Sequence, residues 1–447
     1  MNKSSTFTLP PKASLKTALT AVFNPMPFYI INQNLYPDIF SSSLLSFSAY
    51  VIHSPEFIKR VLQENYRNYT KGGKYGFIRL LLGQGLLTSD GEHWLRHRRI
   101  IQPSFHRGSL EYSRKVMIDE TCKLVESLEG NSELNANHYM ADLTVNIVGK
   151  AMFGLDSEDT IKILRSELDN CRRFGHSLLR MPIEYPEWIL KLPIFKRLST
   201  SINNVHSTIK TIIEDRAKSK SKEGDLLDLM IALRYEDTGE PMPVKQIQDE
   251  LLTLIVAGHE TTTLALSWTL YELAKNPLFQ EKVRHEIKQI VNSVEELTFD
   301  KLNQLNYLGN VINESMRLYP PAYLFARTAT EEDWLGPYYV PPGKNIVINL
   351  YGLHRNPAIW DTPDVYNPER FSGFDFSGKN RFNFLPFGGG PRGCIGTHFA
   401  TAEMKIIISA ILIKYNITPG NTRPVIPKPL FTLNPSEPIK VRLEQIT

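Results

Sequence analysis

Phe384-Leu385-Pro386-Phe387-Gly388-Gly389-Gly390-Pro391-Arg392-Gly393-Cys394-Ile395-Gly396 sets a run of glycines around a single thiol. Glycine has no Cβ, so a large flat group can approach this backbone closely. A helical pattern begins just after Cys394, and the dipole and free N–H groups at a helix start favour thiolate over thiol. A thiolate held this way suits a metal ligand. A small buried thiol in a glycine-rich turn has the same composition, so the loop by itself leaves both readings open.

Outward from that loop, composition narrows the class. The chain of 447 residues is 42% hydrophobic, 22% charged and 10% aromatic, ordinary values for a soluble folded protein, which excludes disorder, collagen and a disulfide scaffold. Its 51 Lys and Arg stand against 47 Asp and Glu, a net +4 spread along the chain, which leaves no electrostatic footprint for nucleic acid. Cys122, Cys171 and Cys394 are too few and too far apart for a disulfide framework or a thiolate zinc site, and a reducing compartment is the default. The uncharged stretch Thr17 to Pro37 is interrupted by Asn24, Pro25, Pro27, Asn32, Gln33 and Asn34, whereas a spanning helix needs roughly 20 mainly apolar residues. A cytoplasmic protein without a transmembrane segment or cleavable signal is expected.

No composition shift cuts the chain, and Lys218 to Gly224 (KSKSKEG) is too short to separate folding units, so residues 1–447 read as one domain. Ser41 to Ser54 suits two short strands and Pro55 to Tyr66 an amphipathic helix. Helical patterns dominate from Glu111 to Glu286. Ile247 to Lys275 is apolar on most faces, as expected of a long helix running through the core. After Tyr319, prolines punctuate short segments, of which Tyr338 to Val340 and Asn345 to Leu350 read as a small hairpin sheet. A final helix runs from Gly396 to Tyr415. The expected class is mainly α with a minor β part (α+β), β-rich over about 38–54 and 320–447 and helical over about 90–320.

Position by position, the cysteine segment resembles the cysteine-ligand loop of the cytochrome P-450 superfamily, with Phe387, Gly390, Arg392, Cys394 and Gly396 where that pattern requires them. Three further segments resemble it in the same order. Glu314 and Arg317, three apart on one helical face ahead of Pro320-Pro321, are similar to the pair that bonds to the Pro368-Glu369-Arg370-Phe371 segment and holds the cysteine loop in place, which makes Arg370 the third member. Ala257-Gly258-His259-Glu260-Thr261-Thr262 puts a glycine costing about 1 kcal/mol and a charged glutamate inside an apolar helix, local losses typical of a functional site. The resemblance implies that Ala257 and Gly258 adjoin the cofactor, that Thr261 organises hydrogen bonds to the distal oxygen and that Glu260 feeds protons. In Gly91 to Arg99, Trp94 and Arg98 stand four apart on one face. The resemblance makes both partners of the haem propionates, with Arg327 and Arg392 completing a clamp for which Arg's fork is suited.

The cofactor so implied is haem b, ligated by Cys394 in a soluble, bacterial-type member of the superfamily, with the long helix over the haem. The implied activity is a monooxygenase that activates O2 with two externally supplied electrons, favours O–O cleavage and hydroxylates a small apolar substrate of the fatty-acid, terpenoid or carotenoid class. Met181 to Phe195 falls where the family has its substrate-access lid, and Phe77, Leu80, Leu81 and Leu82 in the neighbouring entrance region. There is no glycine-rich dinucleotide segment in a βαβ setting and no length for a flavin reductase after the final helix. A ferredoxin or flavodoxin is therefore expected to dock over the Cys394 face, at Lys379, Arg381 and Arg392. Two alternatives remain: a hydrogen-peroxide-dependent peroxygenase, which usually lacks the acid–threonine pair, and a non-enzymatic haem sensor or electron carrier, which needs iron but not Thr261.

Overall fold

The serine-, aromatic- and β-branched-rich run near the N-terminus fits a pleated, half-buried surface. In the computed structural model, which describes residues 7–44, 47–72, 75–130, 133–155, 157–180, 188, 192–218 and 225–446, it forms β1 (Ile39–Leu44) and β2 (Phe47–Ile52), antiparallel with Ile39 opposite Ile52. They join β3 (Tyr69–Thr70), β4 (Leu324–Ala329) and β5 (Asn345–Asn349) in a sheet of order β1-β2-β5-β4-β3. β2 and β5 run parallel, with Ala49 opposite Asn345, and the other pairs are antiparallel. Ile52, Ile346 and Ile348 pack with Val61, Leu62 and Leu385 in one apolar cluster, which sets this sheet against the start of the cysteine loop.

The hairpin expected between Tyr338–Val340 and the Asn345 segment does not form. Tyr338–Val340 pairs with Asp333–Leu335, while β5 lies between β2 and β4. Pro341-Pro342 offers no N–H to a ladder, and Gly343 at φ 76° turns the chain into the larger sheet. A further strand, Glu133–Asn135, lies inside the region expected to be helical and joins Tyr415–Pro419 and Lys440–Gln445. Helices also precede that region, at Leu15–Phe23, Pro25–Leu35 and Gly76–Leu82.

Five helices position the site: α1 (Gly91–Ile101), α2 (Ala136–Phe153), α3 (Val244–Lys275), α4 (Asn306–Leu318) and α5 (Thr397–Lys414). α3, with 32 residues, is the expected central helix, and α5 packs against it. Both are apolar nearly all round, the pattern of a helix enclosed by protein. α3 is buried from Gln246 to Ile255 and again from Thr262 to Ala274, but is accessible over Val256 to Thr261. The result is mainly α with small sheets, as the sequence suggests. Among the described residues no helix is long and apolar enough to cross a membrane. The expected linker beyond Lys218 lies outside the described residues, as does the expected lid apart from Trp188 and Leu192–Phe195.

Candidate functional site

Backbone geometry explains the glycines of the cysteine loop. Gly390 adopts φ +68°, and a Cβ there would lie 1.8 Å from the Leu62 carbonyl oxygen; Gly388, at φ +71°, lies over the Phe325 ring. Both positions need glycine, by conformation and at Gly390 also by close approach. The loop closes on itself: the Cys394 N–H donates to the Phe387 carbonyl at 2.8 Å, and the Gly388 N–H to the Leu385 carbonyl at 3.0 Å. Cys394 is a free thiol with accessible surface. Burial raises its pKa, against lowering by the Gly396 N–H, Arg98 and Thr397. The expected thiolate-favouring contribution at the helix start is present but loses to burial. The protein alone favours the thiol, and a coordinated metal would draw the proton off.

Beside this loop the structure gathers cations. Arg392 donates to the Ser89 carbonyl at 2.9 Å and pairs with Asp90 at 2.9 Å, its guanidinium 4.2 Å from the Trp94 ring centre. Arg327 is buried on β4, and Arg79 reaches the Thr88 carbonyl and Asp90. Lys71, which the sequence reading missed, is buried as well. Burial and the charges of Arg327 and Arg392 push its pKa well below the ordinary lysine value, with Asp90 opposing. Burial lowers Arg392 to about 10. The register that sets Thr70 opposite Thr328 brings Lys71 beside Arg327. Arg79 and Arg392 thus pair with Asp90, which also acts on Lys71, while Arg327 acts on Lys71 and Arg392, and this excess of buried cations calls for further anions. The two propionates of a haem fit it. Arg98 donates to Gln102 at 3.1 Å, and its charge acts on Cys394.

The accessible stretch of α3 holds the expected acid and hydroxyl, each already engaged. Thr261 donates back to the Ala257 carbonyl at 2.6 Å, and Glu260 accepts from the Thr432 hydroxyl at 2.8 Å. His259 lies 2.9 Å from the Thr144 hydroxyl, which also meets Thr263. Ala257 is the most exposed residue of the stretch. At Gly258 a Cβ would come within 3.2 Å of Val148, so the missing side chain lets α2 approach closely. A cavity of about 330 Å³ adjoins this turn, lined by Leu81, Leu82, Leu168, Val256, Glu260 and Phe431, with Asn135, His138 and Arg165 among its polar residues. Neither Thr261 nor Cys394 lines it among the described residues. Leu81 and Leu82 belong to the expected entrance; the Phe77 side chain lies outside the described residues.

The buried charges assemble as expected. Arg317 donates to both oxygens of Glu314, at 2.7 and 2.8 Å, and Arg370 donates to Glu314 at 3.0 Å. Arg317 also serves the carbonyls of His354 at 2.8 Å, Pro363 at 2.6 Å and Val365 at 3.3 Å, and the Asn367 N–H donates to Glu314 at 2.8 Å. Among the described residues the partners of this triad lie between His354 and Arg370, so its hold on the cysteine loop is indirect. Lys379 and Arg381 are exposed, whereas Arg392 faces inward onto Ser89 and Asp90 and is withdrawn from the expected docking face.

Chemically the arrangement offers one soft sulfur donor, a buried cationic cluster and a largely apolar cavity. Among the described residues no group of His, Cys, Asp or Glu side chains could hold a metal ion on its own, so the sulfur suits a metal already carried by a prosthetic group. The family model described as Cytochrome P450 matches residues 23–443. The chain is similar to human Cytochrome P450 4F3, 32% identical over 403 residues, covering 83% of this chain and 76% of the relative. It is similar to rat Cytochrome P450 4F1, 32% identical over 381 residues, covering 78% and 71%. It is also similar to mouse Leukotriene-B4 omega-hydroxylase 3, 31% identical over 381 residues, again covering 78% and 71%.

Proposed function

The chain belongs to the cytochrome P450 family, and from that premise we propose that Cys394 would ligate the iron of its haem and that its substrates are of the fatty-acid class. It is a monooxygenase whose cofactor is haem b and which acts on apolar substrates. When bound, the haem supplies O2 activation, and a thiolate ligand favours O–O cleavage over reversible storage.

The chain's own groups do the rest. Gly390 and Gly396 keep the loop slim around the sulfur, the Phe387 carbonyl accepts from the Cys394 N–H, and Arg98, expected at the propionates, also acts on the Cys394 charge. Lys71, Arg327 and Arg392, with Trp94 beneath Arg392, take the propionates. Thr261 exchanges its bond to the Ala257 carbonyl for one to a water, and Glu260 passes protons at the carboxylate oxygen where Thr432 now donates. Ala257 offers the smallest side chain on the accessible turn. The observation that carries the ligand assignment is the free, accessible thiol of Cys394 in a loop that Gly390 seats against Leu62.

For the substrate, a cavity of about 330 Å³ with both apolar and polar lining residues, near the lower end of the usual range for ligand pockets, favours a slender chain with a polar end over a carotenoid. The mouse relative's name, a leukotriene hydroxylase, points the same way. Electrons come from a ferredoxin or flavodoxin docking at Lys379 and Arg381. Residues 1–447 act as one catalytic unit, in a cytoplasmic setting suggested by three free cysteines. The relatives named above are mammalian, and none of them supports the bacterial-type expectation.

A series of saturated fatty acids tests the substrate. Long chains should produce the spectral shift of displaced axial water and yield hydroxylated acids with an NADPH-driven carrier; no shift with any chain length contradicts the proposal. The back-bonded Thr261 favours one second reading, a peroxygenase. Thr261→Ala decides: product should fall and peroxide rise for the monooxygenase, whereas unchanged coupling selects the alternative.

A further inference from the structure

The triad of Glu314, Arg317 and Arg370 stops short of the cysteine loop, and one buried side chain spans the gap. His354 is fully buried. Its carbonyl accepts from Arg317 at 2.8 Å, and its ring nitrogen Nε2 accepts from the Leu385 N–H at 3.0 Å, at the start of the cysteine loop. Beyond Leu385 the loop is bonded to itself, Gly388 to the Leu385 carbonyl and Cys394 to the Phe387 carbonyl. Hydrogen bonds and the short peptide links between them therefore run from Glu314 through Arg317 and His354 to Cys394.

An imidazole nitrogen that accepts carries no hydrogen, so this ring is neutral with its proton on Nδ1, an atom with no hydrogen-bond partner. The charged groups facing the ring are Arg317 and Arg355, and the loop side presents Phe384, with ring centres 5.1 Å apart, and Leu385. Nothing anionic among these would welcome a second proton. We propose that His354 is the positioning residue that ties the triad to the cysteine loop, and that the loop keeps its sulfur on the haem only while Nε2 of His354 remains an acceptor.

Burial, then Arg317 and Arg355, lower the pKa of His354 well below its ordinary value, so the sign follows. The bond is intact above the unfolded-state value near 6.5 and is lost as pH falls toward the folded-state value. A protonated ring turns an N–H toward the Leu385 N–H and leaves both donors without an acceptor.

This inference rests on Cys394 as the haem ligand. The test uses three haem-loaded proteins: the unaltered enzyme, His354→Gln, whose amide oxygen restores an acceptor that does not titrate, and His354→Phe, which keeps the ring and removes the acceptor. The readout is the fraction of reduced carbon-monoxide complex with the red-shifted absorption of thiolate ligation, followed over time and across pH. At neutral pH the unaltered enzyme and His354→Gln should hold the band, and His354→Phe should lose it at least about tenfold faster. On acidification the unaltered enzyme should lose it in a one-proton step that His354→Gln lacks. His354→Phe matching the unaltered enzyme, or His354→Gln failing as fast as His354→Phe, overturns the proposal. Should His354→Phe not fold, the acid step decides alone, and the same step in His354→Gln overturns it. Absence of the band in the unaltered enzyme refutes Cys394 as ligand instead, a distinguishable failure that takes this inference with it.

Discussion

Arg317→Lys keeps a positive charge where the structure uses a fork, and its cost can be worked from the contacts. Arg317 is fully buried and serves two oxygens of Glu314 and three backbone carbonyls, those of His354, Pro363 and Val365. A lysine ammonium presents its donors from one point and cannot reach in both directions at once. If it follows Glu314, at least two carbonyls lose their donor, at about 1–3 kcal/mol for each group left unpaired. If it follows the carbonyls, a buried ion pair is broken, at about 3–5 kcal/mol. The expected loss is therefore about 2–6 kcal/mol, a large part of the roughly 5–15 kcal/mol that holds an ordinary protein folded. The assay is the urea midpoint at equal haem loading, converted through the denaturant slope. A loss under about 1 kcal/mol, the range of exposed ion pairs, would refute the reasoning.

Gly390→Ala should cost at least about 2 kcal/mol, because it adds left-handed strain of about 1–3 kcal/mol to a collision with the Leu62 carbonyl; an unchanged melting temperature would contradict the loop geometry. Lys71→Met should leave the fold intact but speed haem loss to apomyoglobin by about ten- to a hundredfold, in line with one charged hydrogen bond of about 1.5–3 kcal/mol, whereas an unchanged transfer rate would remove Lys71 from the cationic cluster. Reduction by an acidic ferredoxin should slow with rising salt and again in Lys379→Glu; rates indifferent to both would exclude steering by Lys379 and Arg381.

What the sequence made legible was local. The glycine spacing around Cys394, the Glu314–Arg317 spacing and the glycine and glutamate inside an apolar helix are each visible within a dozen residues, because backbone conformation and helical periodicity act over that range. The assembly of Arg370 with Glu314 was reachable only through resemblance. The five-stranded sheet was not legible, since pairing Ala49 with Asn345 depends on closure across most of the chain and on prolines that deny Tyr338–Val340 its nearest neighbour. Lys71 was hidden because a lysine between Thr70 and Gly72 reads as an exposed loop charge until the β3–β4 register sets it beside Arg327. The approach of Val148 to Gly258 was not legible either, because a helical glycine signals close approach without saying of what. The opposing influences on the Cys394 thiol, burial against the Gly396 N–H, Arg98 and Thr397, were not legible because they depend on the packed structure. His354 carried no spacing signal, since its two bonds reach Arg317 and Leu385 from separate parts of the sequence.

The reduced carbon-monoxide difference spectrum of the unaltered enzyme beside Cys394→Ser, each reconstituted with hemin, addresses the sulfur–iron bond most directly. The account predicts the red-shifted band in the unaltered enzyme and its loss in Cys394→Ser, with haem still held by the cationic cluster. A Cys394→Ser protein that retains the band would contradict it.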